Sequence, residues 1–472
     1  MKAISETEII RKIRLENPWW SEEGSIDEYF KNMKPRAYLE RLYKLITEKD
    51  VHRAVVLMGP RRVGKTVLLY HTIHKLIDSG INPKNICYIS TESPVYIGLG
   101  LEKILEFYSR IFDLKGFKNC YIFFDEIQYL RNWEVHLKKL VDDYRGIRFV
   151  ASGSAAAALK LKSIESGAGR FTNFHLPPLT FYEYLYLIGK DNYIEQREKT
   201  SHEVDFYAVD INKLNEEFIN YLNFGGYPEA IFSEAIKADT NRYIRSDIID
   251  KVLLRDLPSL YGIQDIQELN RLFTMLAYNT GNEVSLDELS TGAGVAKNTI
   301  KKYLEYLEAA FLIKMVHRID QKGKKFRRAN YFKVYVTNPS MRSALFGPIS
   351  AGHDFMGNIV ETAIVSQWLH SEDFNKLFYA RWKSGEVDLV SIGDHEEEKW
   401  CVEIKWSDRF FDRPEELRSL LQFAQRHGIK EVLTTTIDKR GIRIIGEINV
   451  EFIEASVYCY SVGRNNTEGK KL

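Results

Sequence analysis

The sequence predicts an α/β fold built on a parallel sheet, with helical and mixed modules behind it. Three observations carry this. Short apolar runs at Ala54–Met58, Ile86–Ile89, Tyr121–Phe124 and Arg148–Ala151 alternate with helical patterns at Lys65–Ser79, Leu101–Phe112 and Trp133–Tyr144. The short runs are continuously apolar, as strands covered on both faces are. Two of them end in polar segments: Met58 leads into Gly59-Pro60-Arg61-Arg62-Val63-Gly64-Lys65-Thr66, and Phe124 into Asp125-Glu126. Strand, helix, strand, helix is the order of a parallel sheet with helices on its faces.

Before this region, residues 1–50 read as helical, with 3–4 apolar spacing at Glu28-Tyr29-Phe30 and from Tyr38 to Ile46. After it, Pro177-Pro178 closes the sheet region, and 180–275 read as almost wholly helical around Phe224-Gly225-Gly226-Tyr227-Pro228. A chain of 472 residues argues for several domains. With 66 basic against 65 acidic residues, net charge excludes no partner class, and only local clustering can point to nucleic acid. Cys87, Cys120, Cys401 and Cys459 form no C-x-x-C pair and read as reduced core cysteines rather than a zinc site. The charged N-terminus, Met-Lys-Ala-Ile-Ser-Glu-Thr-Glu, does not read as a signal peptide. No apolar run approaches the roughly 20 residues that cross a bilayer. The expectation is a cytoplasmic protein without a membrane partner.

The segment Gly59-x-x-x-x-Gly64-Lys65-Thr66 has the spacing of a phosphate-binding loop, and its context of strand before and helix after is what that motif requires. Its glycines let backbone N–H groups curl around phosphate, and the helix beginning at Lys65 adds a favourable dipole. ATP is the expected ligand, held by Gly59, Pro60, Arg61, Arg62, Val63, Gly64, Lys65, Thr66 and Val67. Lys65 is expected at the β- and γ-phosphates and Thr66 on Mg²⁺. The buried strand ending in Asp125-Glu126 supplies the acidic half: Asp125 toward Mg²⁺, Glu126 as the base that polarises water. The alternative is a chance loop and an unrelated acidic strand end.

A wider pattern then emerges. Asn17-Pro18-Trp19-Trp20 precedes the loop; Phe-Phe-Asp-Glu-Ile-Gln at 123–128, Ser152-Gly153-Ser154, Gly-Arg-Phe-x-x-Phe-x-Leu-x-Pro-Leu-Thr-Phe-x-Glu-Tyr-Leu at 169–185 and Phe-Gly-Gly-Tyr-Pro-Glu at 224–229 follow. The chain resembles the prokaryotic AAA-type ATP-binding proteins that carry a C-terminal DUF4143 region, from about residue 8 to 460. The resemblance implies an AAA-like P-loop NTPase core, a winged helix and a domain similar to PD-(D/E)xK nucleases. In AAA-type ATPases a polar group after the next strand lies beside the γ-phosphate, so Ser152 or Ser154 is a candidate sensor, against the alternative of a simple turn. The run Ser154-Ala155-Ala156-Ala157-Ala158 departs from the serine-rich version the family would supply. Arg170 is a candidate arginine finger, in cis or toward a neighbouring subunit of a homo-oligomer, against a surface or packing arginine.

Helix-turn-helix grammar follows. Ser285 and Glu288 form a capping box, Thr291-Gly292-Ala293-Gly294 a turn, and Lys297–Glu308 a second helix with Lys297, Asn298, Lys301 and Lys302 toward its polar face. From Lys314 to Lys333, eight Lys or Arg face one acid, Asp320, in a wing-like hairpin with Lys322, Lys324, Lys325, Arg327 and Arg328 crowded together. Such a cluster fits DNA phosphates, or equally a solvated hairpin used for internal packing.

Four later residues read together. Glu361 lies on a helical pattern, Gly357–Leu369; Asp388 lies in the alternating run Gly385–Val390; Glu403 and Lys405 lie two apart in Cys401–Trp406 and so share a strand face. A hairpin through Gly393–Lys399 would bring Asp388 beside them. In a PD-(D/E)xK arrangement Asp388 and Glu403 would bind Mg²⁺ or Mn²⁺, Glu361 would assist and Lys405 would position water. The alternatives are an inactive nuclease-like scaffold, or an ordinary strand pair with a surface Glu–Lys pair.

The expected organisation is therefore 1–50 helical, 51–185 AAA-like core, 186–282 helical, 283–338 winged helix, 339–462 nuclease-like and 463–472 a fraying tail. The expected function is Mg²⁺-dependent ATP hydrolysis coupled to C-terminal domains that bind DNA. An ATP-gated endonuclease and a nucleotide-dependent switch with an inactive nuclease-like scaffold stand as alternatives.

Overall fold

The computed structural model describes residues 5–21, 24–48, 50–113, 117–154, 169–198, 204–263, 265–323, 330–393 and 398–469. The chain divides into two compact units, Met1–Leu176 and Pro177–Leu472.

The first unit is built on β1 (Ala54–Met58), β2 (Ile86–Ser90), β3 (Cys120–Asp125), β4 (Ile147–Gly153) and β5 (Phe171–His175), in the order β2-β3-β4-β1-β5. Every pairing is parallel. All five β1 residues are buried, as the unbroken apolar run requires. Helices Lys65–Asp78, Leu101–Phe112 and Trp133–Asp143 connect the strands. The first four strands and these helices lie where the apolar runs place them, to within two residues. β5 was not anticipated, because its sequence Phe-Thr-Asn-Phe-His buries only Phe174 and gives no apolar run.

The open edge of β2 is covered by the N-terminal segment. Asn17 lies in the turn after the helix Glu6–Glu16. Its side-chain amide donates to the Tyr88 carbonyl at 2.8 Å and accepts from the Tyr88 N–H at 2.6 Å, so it acts as one residue of an added strand. The Trp19 and Trp20 indoles donate to the Ile86 carbonyl at 3.1 and 2.8 Å.

The second unit opens with the helix Phe181–Leu187, whose Thr180 and Glu183 form a capping box. A two-stranded hairpin follows, β6 (Ile194–Glu198) and β7 (Val204–Ala208). This hairpin corrects the expectation of an almost wholly helical 180–275: Ile-Glu-Gln-Arg-Glu and Val-Asp-Phe-Tyr-Ala form strands that bury only Phe206. Helices Ile211–Phe224 and Ile266–Tyr278 come next.

One nine-stranded sheet then organises the rest. Its strands are β8 (Glu283–Ser285), β9 (Ile313–Ile319), β10 (Tyr331–Val336), β11 (Leu377–Trp382), β12 (Gly385–Ile392), β13 (Glu398–Glu403), β14 (Glu431–Thr436), β15 (Gly441–Ile445) and β16 (Ile448–Glu454). The order is β15-β16-β14-β13-β12-β11-β9-β10-β8. β9 pairs in parallel with β11. The expected boundary between 283–338 and 339–462 is thus no break in structure; one ladder runs through it. The helix Met356–Trp368 lies in the core with Ala455–Val462. The expected fraying tail is corrected for its described part: the helix Ala455–Glu468 runs into it, with Asn466 and Thr467 buried, and residues 470–472 lie outside the described residues.

Candidate functional site

The phosphate-loop motif lies between β1 and the helix Lys65–Asp78. Gly64 caps that helix at φ +90°, a conformation in which a Cβ is strained. A Cβ on Gly59 would collide with the Leu176 carbonyl, and the Leu176 N–H donates to the Met58 carbonyl at 2.8 Å. The first motif glycine is therefore also the place where the chain leaving β5 crosses. Arg36, buried, donates from Nη1 to the Val63 carbonyl at 2.7 Å and braces the loop from the N-terminal segment.

Lys65 is 4% exposed, and its Nζ donates to the carbonyls of Gly59 at 3.1 Å and Pro60 at 2.7 Å. Burial lowers its pKa, opposed by Glu126 and Asp125. Thr66 Oγ1 donates to Asp125 Oδ2 at 2.7 Å, and the Tyr88 hydroxyl donates to the same oxygen at 2.7 Å. Ser152 Oγ donates to Asp125 Oδ1. The carboxylate at the end of β3 is thus held by hydroxyls from three other elements.

Glu126 has φ +54°, unusual for a residue with a side chain. Thr91 Oγ1 donates to its carbonyl at 2.6 Å, and Gln128 Nε2 donates to its carboxylate. Burial raises its pKa against the pull of Lys65. Strained backbone held by surrounding bonds is a feature of working sites.

The remaining expected residues divide between this cluster and other places. Ser152 meets Asp125 directly. The Ser154 hydroxyl is buried without a hydrogen-bond partner, and residues 155–158 lie outside the described residues. The in-cis reading of Arg170 is corrected: its carbonyl accepts from the Ala54 N–H, at the end of β1 opposite the phosphate loop, and its guanidinium pairs with Asp142 at 3.0 Å.

A second cluster lies within the nine-stranded sheet. Glu361 extends from the helix Met356–Trp368, Glu386 and Asp388 from β12, and Glu403 from the end of β13. Lys405 lies one residue beyond Ile404, past the end of β13, yet reaches Glu403 Oε1 at 2.7 Å and Asp388 Oδ2 at 3.4 Å. The geometry brings Glu361, Asp388, Glu403 and Lys405 together and adds Lys333, from β10. Lys333 Nζ lies 2.8 Å from Glu361 Oε1, 2.7 Å from Glu386 Oε1 and 3.3 Å from Asp388 Oδ1. The Tyr335 hydroxyl donates to Glu361 Oε1 at 2.7 Å, and the Ile404 N–H to Asp388 Oδ2 at 2.9 Å.

Burial raises Glu361, against Lys333. Burial also pushes Asp388 up, but Lys405, Lys333 and the Ile404 N–H outweigh it and hold this carboxyl below its ordinary value. Glu403 is pushed up to about 8 by burial and by Asp388.

Among the described residues, no group of three or more His, Cys, Asp or Glu is arranged to hold a metal ion. The expected divalent site on Glu361, Asp388 and Glu403 does not fit as it stands, because an ammonium bonds to two of the three and Lys405 takes the third.

The helix-turn-helix residues form Leu286–Ala293 and Lys297–Ala309, with the Ser285–Glu288 capping box in place. Lys301 and Lys322 are exposed, and Lys297 pairs with Asp287. Lys324, Lys325, Arg327 and Arg328 lie outside the described residues.

Lys333 was missed because it reads as one more cation of a basic stretch. One signal was available: in Tyr-Phe-Lys-Val-Tyr-Val it is the lone charge in a strand, two residues from Tyr335 and so on the same face. Tyr88 carried no such signal; only the β2–β3 pairing brings it to Asp125.

The model of an AAA domain matches residues 51–185, and that of a domain of unknown function, DUF8612, matches residues 215–350. The second designation differs from the DUF4143 region that the resemblance implies. Residues 51–185 are an AAA-type P-loop domain. An uncharacterised protein of Methanocaldococcus jannaschii is 27% identical over 349 residues, covering 72% of this chain and 73% of the relative. One from Haemophilus influenzae is 27% identical over 362 residues, covering 74% and 82%. Among solved structures, the Aeropyrum pernix ORC1 protein in complex with DNA aligns at a TM-score of 0.30 and 14% identity, over 68% of this chain and 94% of that one. The replication initiator DnaA bound to AMPPCP and single-stranded DNA aligns at 0.27 and 14%, over 57% and 86%. Likenesses this weak carry no argument about function. No helix among the described residues is long and apolar enough to cross a membrane.

Proposed function

From the AAA-type P-loop domain at residues 51–185, we propose that this chain binds ATP with Mg²⁺, hydrolyses it, and uses the cycle to change how its second unit engages DNA. One observation carries the reading: Thr66 and Asp125 present a hydroxyl and a carboxylate oxygen 2.7 Å apart, beside buried Lys65 and the strained Glu126. Hard oxygens of this kind suit Mg²⁺. When bound, the ion supplies charge neutralisation at the phosphates.

The chain's own residues do the rest. The loop N–H groups and the N-terminus of the helix Lys65–Asp78 hold the phosphates, and Lys65 adds a cation in a place that shields it from water. Tyr88 and Ser152 keep Asp125 oriented. Glu126, its pKa raised by burial, takes a proton from the attacking water. Arg170 can serve as a finger only for a neighbouring copy. Leu176, crossing over Gly59, leads straight into the second unit and offers a route for coupling.

For DNA, the support is the helix-turn-helix order followed by a hairpin, with exposed Lys301 and Lys322. The lysine among the carboxylates favours the switch reading with an inactive nuclease-like scaffold over the endonuclease.

The test is ATP turnover and fluorescent-nucleotide binding by the full chain and two variants. Lys65→Ala should lose binding. Glu126→Gln should bind and fail to turn over; turnover at the parent rate would remove Glu126 as the base.

A further inference from the structure

A lysine buried to 3% side-chain exposure is costly unless its charge is met in place. Lys333 is met three times, by carboxylates from a helix and from β12, with the Tyr379 ring centroid 5.5 Å from its Nζ. The carboxylates equally need a cation. Glu361 and Asp388 are both buried, and four carboxylates converge where the described cations beside them are Lys333, Lys405 and Arg381, the last 2.9 Å from Glu386. Oxygens bound to a magnesium-like ion stand about 2.0–2.1 Å from it. Here they stand 2.7–3.3 Å from a nitrogen, which is hydrogen-bonding geometry for an ammonium.

The cation also comes from an unexpected place. β10 belongs to the hairpin that follows the helix-turn-helix, and the continuous ladder β10-β9-β11-β12 brings its Lys333 over Asp388. The hairpin therefore delivers a charge into the centre of the carboxylate cluster.

We propose that Lys333 is the built-in cation of this centre: its ammonium takes the place of a divalent ion among Glu361, Glu386 and Asp388 and excludes one. The site is then a metal-free ionic core that ties β10 to β12 and to the helix Met356–Trp368. Removing the ammonium leaves carboxylates from two elements around a space the lysine filled, which is a cation site. The proposal is independent of ATP turnover in the first unit.

The test is Mn²⁺ binding without nucleotide, followed by the electron paramagnetic resonance signal of free Mn²⁺, on the full chain, Lys333→Ala and Lys333→Ala/Asp388→Ala. The parent should bind no Mn²⁺ at this centre. Lys333→Ala should gain one Mn²⁺ per chain and be stabilised to heat by it, and the double variant should lose both effects. A folded Lys333→Ala that binds no Mn²⁺ overturns the proposal. If Lys333→Ala does not fold with or without Mn²⁺, the parent decides. Mn²⁺ bound by the parent and lost in Asp388→Ala overturns the proposal; no such binding upholds it.

Discussion

Asp125 shows what a single residue needs before it can work. Its two oxygens take hydrogen bonds from Thr66, Tyr88 and Ser152, so its position is set before any ligand arrives. Tyr88 is the informative one to change, because it supports the carboxylate from β2 without belonging to the phosphate loop. Tyr88→Phe removes one of these bonds, worth about 1 kcal/mol, or roughly fivefold. The Mg²⁺ concentration giving half-maximal ATPase should rise by that factor, while nucleotide binding without Mg²⁺ stays at the parent level. A titration of turnover against Mg²⁺ reads this. An unchanged midpoint would make Tyr88 a packing residue only.

Elements depend on how their edges are finished. β2 is an edge strand, and its open N–H and C=O groups would template association with another chain. Asn17-Pro18-Trp19-Trp20 closes that edge with a side-chain amide and two indoles. This gives the N-terminal motif a structural reason independent of catalysis. Asn17→Ala leaves the N–H and C=O of buried Tyr88 without these partners, a loss of about 2–3 kcal/mol. Urea unfolding should show a lower midpoint, and nucleotide affinity measured well below that midpoint should stay at the parent value. The same scale explains the hidden lysine. A strand of period two places Lys333 and Tyr335 on one face, and both meet Glu361.

For the whole molecule, the proposed function requires the two units to communicate and the second to meet DNA. ATP bound to Glu126→Gln should change DNA affinity relative to the nucleotide-free variant. Reversing charge at Lys301, Lys322, Lys324, Lys325, Arg327 and Arg328 should weaken binding and flatten its salt dependence, by about 0.9 in slope for each phosphate no longer neutralised. Fluorescence anisotropy across a salt series measures both. A slope equal to the parent's would take these residues out of the interface.

The candidate phosphate site was legible because it is local. A loop of fixed spacing, the strand before it and the helix after it are consecutive in the chain, and Asp125-Glu126 ends a strand whose apolar run marks it. The elements of the first sheet followed for the same reason, since burial on both faces writes itself as continuous hydrophobicity. β5 and the β6–β7 hairpin escaped because exposed strands carry no such run.

What tertiary structure alone decided is which distant groups meet. By itself the sequence determined an AAA-type loop, its acidic partner and the four residues Glu361, Asp388, Glu403 and Lys405 as a set worth weighing together. It could not show that β9 pairs with β11, because pairing between strands 58 or more residues apart depends on the packing of everything between them. That one pairing carries Lys333 into the carboxylates and turns an expected metal centre into an ion-paired core.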